Sequence, residues 1–378
     1  MSTAAHDAID GTTRARAALL VDREGHSFTI TEVDVSAPGD GEVLVDIRAS
    51  SLCHSDWNFV VNDYGHPLPA LLGHEIAGVV REVGPGVVDV AVGDHVVACV
   101  VPSCGRCEKC LEGERVQCLD PQSSQRSPGA APRVTRDGGY VWQMQGLGGF
   151  SDRALIHESQ LVRVDPAVPL DRAAVLGCGV VTGAGAVLRS ADVRPRETVV
   201  VFGAGGVGLS AAQAAAIVGA RKVIVVDIED GRLELARRFG ATHVINGATQ
   251  DVVAEIRALT GGRGVDHAFE MTGLPGPLQQ AYAVLGARGT VYLIGMQPVG
   301  STFPLPADSL STEASVRAVK MGSTNFKVDI PYYAELYLQG RFNLDDLVSA
   351  HIPLDRINEA YADMLAGSTV GRTVIVFD

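Results

Sequence analysis

Between Val199 and Ala220 the chain runs 22 residues without a charge, and any fold it adopts has to bury that stretch. By length alone the run could cross a bilayer. Its texture argues otherwise, because it holds five glycines together with Ser210 and Gln213. Val199-Val200-Val201-Phe202 leads into Gly203-Ala204-Gly205-Gly206-Val207-Gly208 and then an alanine-rich run, which reads as a buried strand, a tight turn and a helix. Gly203, Gly205 and Gly208 form the spacing G-x-G-x-x-G, which lets a backbone approach a pyrophosphate at a helix N-terminus. The next apolar run, Val223-Ile224-Val225-Val226, ends in Asp227, 19 residues beyond Gly208. An acid there can accept from both ribose hydroxyls, and no Arg follows immediately to hold a 2′-phosphate. The reading is NAD rather than NADP. The bland alternative is glycines that serve only helix–strand packing.

The rest of the chain sorts around this unit. Its 378 residues suggest two or three domains. Short β-rich runs broken by Gly and Pro fill residues 16–100, among them Phe28–Ile30, Glu42–Ile47, Ala77–Val80 and Asp94–Val97, so this part reads as all-β and barrel-like. From Val199 to about Gly295 strands alternate with helices, with further strands expected at Val265–Glu270 and Gly289–Ile294; that pattern implies a parallel sheet with right-handed crossovers. From Ala350 the texture returns to β and ends in Thr373–Phe377, so the first domain is expected to be discontinuous. Met1–Arg14 lacks a secretory pattern and reads as a loose tail, and Gln122–Pro132 is the one obvious long loop. A net charge of −13 repels polyphosphate and disfavours nucleic acid or an anionic membrane as a partner.

Seven cysteines, at 53, 99, 104, 107, 110, 118 and 178, are an odd number with four crowded into fifteen residues, which argues against an evenly paired disulfide framework. Cys104, Cys107, Cys110 and Cys118 can surround one tetrahedral Zn²⁺ with no open position, a structural staple. An iron–sulfur cluster is the rival, but the bacterial ferredoxin run places its fourth cysteine three residues on and follows it with Pro, whereas here seven residues intervene and Leu119 follows. Cys53-His54-Ser55-Asp56, Gly73-His74-Glu75 and Gly177-Cys178-Gly179 are also suggestive, yet no spacing rule links them. A lone Cys is usually a small buried hydrophobe, as Cys99 in its apolar run is expected to be.

Gly73-His74-Glu75-Ile76-Ala77-Gly78-Val79-Val80, the four-cysteine lobe, Leu176-Gly177-Cys178-Gly179 and Gly203–Gly208 together resemble, in the right order from about residue 15 onward, the zinc-dependent medium-chain alcohol dehydrogenases. The resemblance implies an α/β chain with a GroES-like β-barrel catalytic domain over 1–179, a structural-zinc lobe at 99–120, a return at 323–378, and a Rossmann doubly wound NAD-binding domain over 180–322. It implies two zinc ions per chain, the catalytic one on Cys53, His74 and Cys178, with Glu75 beside it and Asp56 accepting from His74. Ser55 matches the position that takes the alcohol proton. His54 and Arg372 match contacts to the cofactor pyrophosphate, Thr182 one to the nicotinamide, and Arg232 one near the adenosine ribose, alongside Gly206 and Val207 of the glycine loop.

One residue departs from the pattern: many members carry a histidine three residues after the Ser/Thr, where this chain has Asn58, which cannot take up a proton near neutrality. Trp57, Val100 and Met296 suggest an apolar substrate pocket and hence primary apolar or aromatic alcohols, with core packing as the plain alternative. A thiol-dependent formaldehyde dehydrogenase, acting on a mycothiol or glutathione adduct, is the rival within the family. A non-catalytic nucleotide-binding relative is the rival outside it. The long segment from Cys118 to Phe150 resembles dimeric members, with Gly289–Ile294 and the region up to Met321 as the dimer edge. Six metal-binding thiolates favour a reducing cytoplasm.

Overall fold

The computed structural model describes residues 11–127, 129–298, 300–302, 304 and 311–378, and divides into two compact units. The first comprises residues up to Cys178 with Asn325–Gln339 and Val348–Asp378; the second comprises Gly179–Thr324 and Gly340–Leu347. The expected return at 323–378 is thus interrupted, because Gln213 reaches Asn343 (Oε1 to backbone N, 2.6 Å) and holds that stretch in the second unit.

Among the described residues, the first unit has one sheet of six strands and one of seven. In the second of these, Glu42–Ser51 is central: it pairs antiparallel with Glu75–Val83, Arg153–His157 and Arg372–Val376. Nearly every residue of that strand is buried, which is why its sequence lacks a clean in–out alternation. Arg372–Val376 then carries the parallel strand Val348–Ile352 on its other side. The other sheet is built on Thr12–Leu20 paired with Thr29–Ser36. The loose tail expected over Met1–Arg14 is corrected at its end, since the strand begins at Thr12; residues 1–10 lie outside the described residues. Helix Ile357–Leu365 packs on this sheet through Tyr361, whose ring stacks on Phe28 at 5.6 Å and meets Trp57 at 5.2 Å.

The second unit has a parallel sheet in which Thr198–Phe202 lies between Lys222–Asp227 and Val265–Glu270. His243–Asn246 extends one side, and Leu285–Leu293 followed by Ser315–Ala318 the other. Val199, Val200 and Val201 have no exposure, so the charge-free run is a central strand followed by helix Gly206–Ile217. Among the described residues no single helix is long and apolar enough to cross a membrane. The strands at His243–Asn246 and Ser315–Ala318 escaped the sequence reading because they are short, four residues each, and only partly buried.

The long segment after Cys118 is fixed by Glu42, a carboxylate 2% exposed. Arg126 donates to it through Nε (3.0 Å) and Nη2 (2.6 Å), Arg133 through Nε (2.6 Å), and Gly39 through its backbone N (2.9 Å). Arg126 also donates through Nη1 to Ala131 O and through Nη2 to Ala37 O, and Arg133 through Nη2 to Ser124 O. Burial alone would push the Glu42 carboxyl up, but the two arginines outweigh it and hold it below the usual 4.5. A depressed carboxyl contributes stability that is present above the unfolded value and disappears as pH falls through the folded one. Glu42→Gln should therefore cost about 3 kcal/mol at neutral pH, the cost of breaking a buried pair from one side. Thermal melts of the two proteins should converge as pH drops below 4.5.

Candidate functional site

Cys53 follows the end of the central strand and sits at the N-cap of helix His54–Val61 in an extended conformation, φ −124° and ψ 144°. His74 precedes strand Glu75–Val83, and Cys178 follows the turn Ala174–Gly177. The sheet register Ser51↔Glu75 brings the first two ligand-bearing segments side by side. The ligand atoms of Cys53, His74, Glu75 and Cys178 lie within 4.8 Å of one another, all four residues buried, with His74 Nε2 at 3.3 Å from Cys178 Sγ. His74 Nδ1 lies 2.9 Å from Asp56 Oδ1, which also accepts from Gly73 N at 3.0 Å. With Nδ1–H donating to Asp56, the lone pair on Nε2 faces the thiols. Asp56 is on the helix that Cys53 caps, so one short segment supplies both a ligand and the group that orients the next ligand.

This donor set fits zinc. Two thiolates and an imidazole nitrogen whose other nitrogen is anchored on a carboxylate form a three-ligand site with a position to spare. One thiol of the pair is biased toward ionisation: its hydrogen bond with Cys178 lowers Cys53 well below 9.0, despite burial and with help from Arg372 and His74, while the same bond and burial raise Cys178.

Glu75 has no exposure, and its Oε1 lies 3.0 Å from Arg372 Nη2, whose Nη1 donates to Leu52 O at 3.2 Å. Burial raises the Glu75 carboxyl to about 7 against the pull of Arg372. Arg372, expected as a phosphate contact, also bonds Glu75 and the chain beside Cys53, where a buried carboxylate next to two thiols favours a cation. Only the sheet, which pairs the strand of Arg372 with the central strand, could reveal this partnership.

In the four-cysteine lobe, Cys104 Sγ to Cys110 Sγ and Cys107 Sγ to Cys118 Sγ are each 4.0 Å, and all four sulfurs lie within 4.8 Å of one another. Zn–S bonds of about 2.3 Å at tetrahedral angles place sulfurs roughly 3.8 Å apart, so the lobe fits a closed zinc site. Backbone N–H groups of Cys107, Cys104 and Leu119 point at Cys104, Cys118 and Cys107 sulfurs respectively, at 3.2–3.5 Å. Cys99 is wholly buried and desolvation pushes its thiol to about 12, the behaviour of a packing residue.

In the second unit Asp227 shapes the glycine loop. Its Oδ2 accepts from Ala204 N at 2.7 Å, and its Oδ1 accepts from Ile228 N and Glu229 N at 2.8 and 3.1 Å. Gly205 is the N-cap of helix Gly206–Ile217, with Gly206, Val207 and Gly208 in its first turn. Gly203 has φ +98°, and a Cβ on Gly208 would overlap the Gly203 carbonyl oxygen, so both glycines are sterically required. Thr182 is buried, its hydroxyl 3.5 Å from Met321 Sδ. Arg232 is half-buried on helix Asp230–Arg238. Ile228, directly after Asp227, is 63% exposed. His54, exposed, and Ser55, half-buried, are the first two residues of the helix capped by Cys53.

Two family models match the chain: one described as an alcohol dehydrogenase GroES-like domain, over residues 39–166, and one as a zinc-binding dehydrogenase, over 206–337. An NDMA-dependent alcohol dehydrogenase of Amycolatopsis methanolica is 37% identical over 95% of this chain and 98% of its own. An S-(hydroxymethyl)glutathione dehydrogenase of Paracoccus denitrificans is 33% identical over 96% of this chain and 100% of its own. The crystal structure of benzyl alcohol dehydrogenase from Acinetobacter calcoaceticus superposes with a TM-score of 0.90 at 36% identity, covering 97% of this chain and 100% of the other.

Replacing Asp56 with Asn should weaken metal retention at the three-ligand cluster by about tenfold to a hundredfold, because the imidazole loses its charged anchor. Competition with a zinc chelator, followed by metal content, should show loss of one zinc per chain while the four-cysteine lobe keeps its own.

Proposed function

The chain belongs to the zinc-dependent medium-chain alcohol dehydrogenases, NAD-dependent oxidoreductases acting on CH–OH groups, and from that premise we propose that it interconverts primary apolar or aromatic alcohols and their aldehydes. The observation that carries this reading is the buried Cys53, His74 and Cys178 cluster with His74 anchored on Asp56, in one chain with the glycine loop pinned by Asp227. Cys53, His74 and Cys178 would hold the catalytic zinc, and Cys104, Cys107, Cys110 and Cys118 a structural one. Zinc, when bound, acidifies an oxygen in its open position, as it lowers the pKa of water to about 7.

The protein's own groups supply the rest. Ser55, half-buried on the helix capped by Cys53, is the residue we assign to take the alcohol proton. Asp227 takes the ribose hydroxyls, and the first turn of helix Gly206–Ile217 takes the pyrophosphate. Arg372 bonds Glu75 and ties it to the chain beside Cys53. Asn58, in the same helix as Ser55, accepts from Asn62 through its carbonyl and offers no titratable group.

Two observations support a free alcohol over a thiol adduct. Arg126 and Arg133, cations of the segment between Cys118 and Phe150, are both spent on Glu42, and Arg136 lies 3.6 Å from Asp137. The half-buried Trp57 presents an indole backed by Tyr361. We read the assembly as a homodimer that uses the exposed edge strand Ser315–Ala318 of the parallel sheet, although part of the region up to Met321 lies outside the described residues. The six ligand thiolates favour the cytoplasm.

A screen of NAD reduction should find benzylic and medium-chain primary alcohols oxidised without any added thiol; strict dependence on glutathione or mycothiol, with formaldehyde as the only substrate, would sink the proposal. Asn58→His should add an ionisation near pH 6.5 to the rate profile by supplying an imidazole to the proton path. An unchanged profile would show that protons leave by another route.

A further inference from the structure

We propose that Glu270 is a positioning residue for the nicotinamide half of the cofactor, acting through two loops that it ties together. The inference rests on the NAD reading above. Glu270 ends strand Val265–Glu270, pairs with Phe202 at the mouth of the glycine loop, and has a side chain with no exposure. A carboxylate in such a place has to be saturated with donors to persist. Its Oε1 accepts from Thr272 N at 2.7 Å, from the Thr272 hydroxyl and from Gly273 N at 3.1 Å. Its Oε2 also faces Gly273 N at 3.1 Å and lies 3.5 Å from Gln297 Nε2. Its backbone carbonyl accepts from Ile294 N and Gly295 N, each at 3.0 Å. One residue therefore holds both the loop after its own strand and the loop after strand Leu285–Leu293.

The two loops are in close contact, since a Cβ on Gly295 would overlap the backbone of Gly273. The first of them also abuts the glycine loop: a Cβ on Gly203 would come within 3.0 Å of the Thr272 methyl. The order of the sheet then determines which half of the cofactor meets them. Asp227 ends the strand on one side of Thr198–Phe202, and Glu270 ends the strand on the other. A dinucleotide lies across the strand ends where the order reverses. With the adenosine ribose on Asp227 and the pyrophosphate on the glycine loop, the nicotinamide ribose and ring fall over the loops that Glu270 holds. Neither oxygen of Glu270 is free to reach the cofactor, so its effect passes through the backbone of Thr272–Leu274 and Gly295–Gln297.

Glu270→Gln keeps the shape but removes the charge and, with its NH₂ in the place of Oε2, leaves the N–H of Gly273 only Oε1 as acceptor and turns a donor toward Gln297 Nε2. Dissociation constants of NAD and of ADP-ribose, which lacks the nicotinamide, should be compared by calorimetry for the wild-type protein and for this variant. The expected result is NAD binding weaker by about tenfold to a hundredfold, the affinity equivalent of one hydrogen bond to a charged group, with ADP-ribose within twofold of wild type. NAD and ADP-ribose weakened equally, or neither weakened, would overturn the proposal. Should the variant fail to fold, Thr272→Val removes only the hydroxyl donor and should show the same selectivity at about three- to fivefold; equal or absent effects there overturn it as well. Failure of the wild-type protein to bind NAD at all would instead remove the cofactor reading on which the proposal stands.

Discussion

Asp56 and Glu75 are carboxylates without solvent contact on either side of the ligand His74, and an uncompensated negative charge in that setting is costly enough to reorganise a fold. Each is compensated differently. Asp56 accepts N–H groups from Gly73 and His74, and so fixes the imidazole and the turn that carries it. Glu75 takes a full cation, Arg372, whose other terminal nitrogen clamps the carbonyl of Leu52 next to Cys53. The helix capped by Cys53, the turn before Glu75–Val83 and the strand Arg372–Val376 are thereby fixed relative to one another, and the sheet register among these strands follows the same geometry. The thiols are placed by this electrostatic frame, and the chemistry of the cluster inherits its rigidity.

In the second unit the economy is similar. Asp227 spends both oxygens on backbone N–H groups of the glycine loop and of its own strand end, so the acid proposed to take the ribose hydroxyls also shapes the glycine loop. A carboxylate oxygen has a second lone-pair direction, which leaves acceptors for ribose hydroxyls. Substituting Asp227 to alter cofactor preference would therefore disturb two functions together.

What could be read from sequence followed the reach of the interactions concerned. The strand–glycine–helix unit, Asp227 and the four-cysteine lobe are local, governed by periodicity and by ligand spacings of a few residues, and they were plain. The assembly of Cys53, His74 and Cys178 was not, because 104 positions separate His74 from Cys178, and family resemblance alone joined them. The partnership of Arg372 with Glu75 and the two-loop clasp of Glu270 left no trace in the sequence. Both depend on strand neighbours in the sheets, and an arginine or a glutamate at the end of a β run looks like an ordinary solvent-facing residue. The helix Phe326–Leu338 was concealed by Pro331, normally a helix breaker, at its sixth position.

The ion pair between Glu75 and Arg372 spans 297 positions, and the whole second unit lies in the interval. During synthesis the strand Thr198–Phe202 and its parallel neighbours have all their partners long before the central strand Glu42–Ser51 receives Arg372–Val376. The earlier-emerging half of the metal cluster must therefore wait, with Glu75 lacking its counter-ion and the sheet edge beside Ala49–Ser51 open, while the nucleotide-binding sheet closes. Order of birth and order of completion are reversed in this chain, which makes the unfinished β unit, rather than the Rossmann sheet, the stage most exposed to misassociation before the protein is whole.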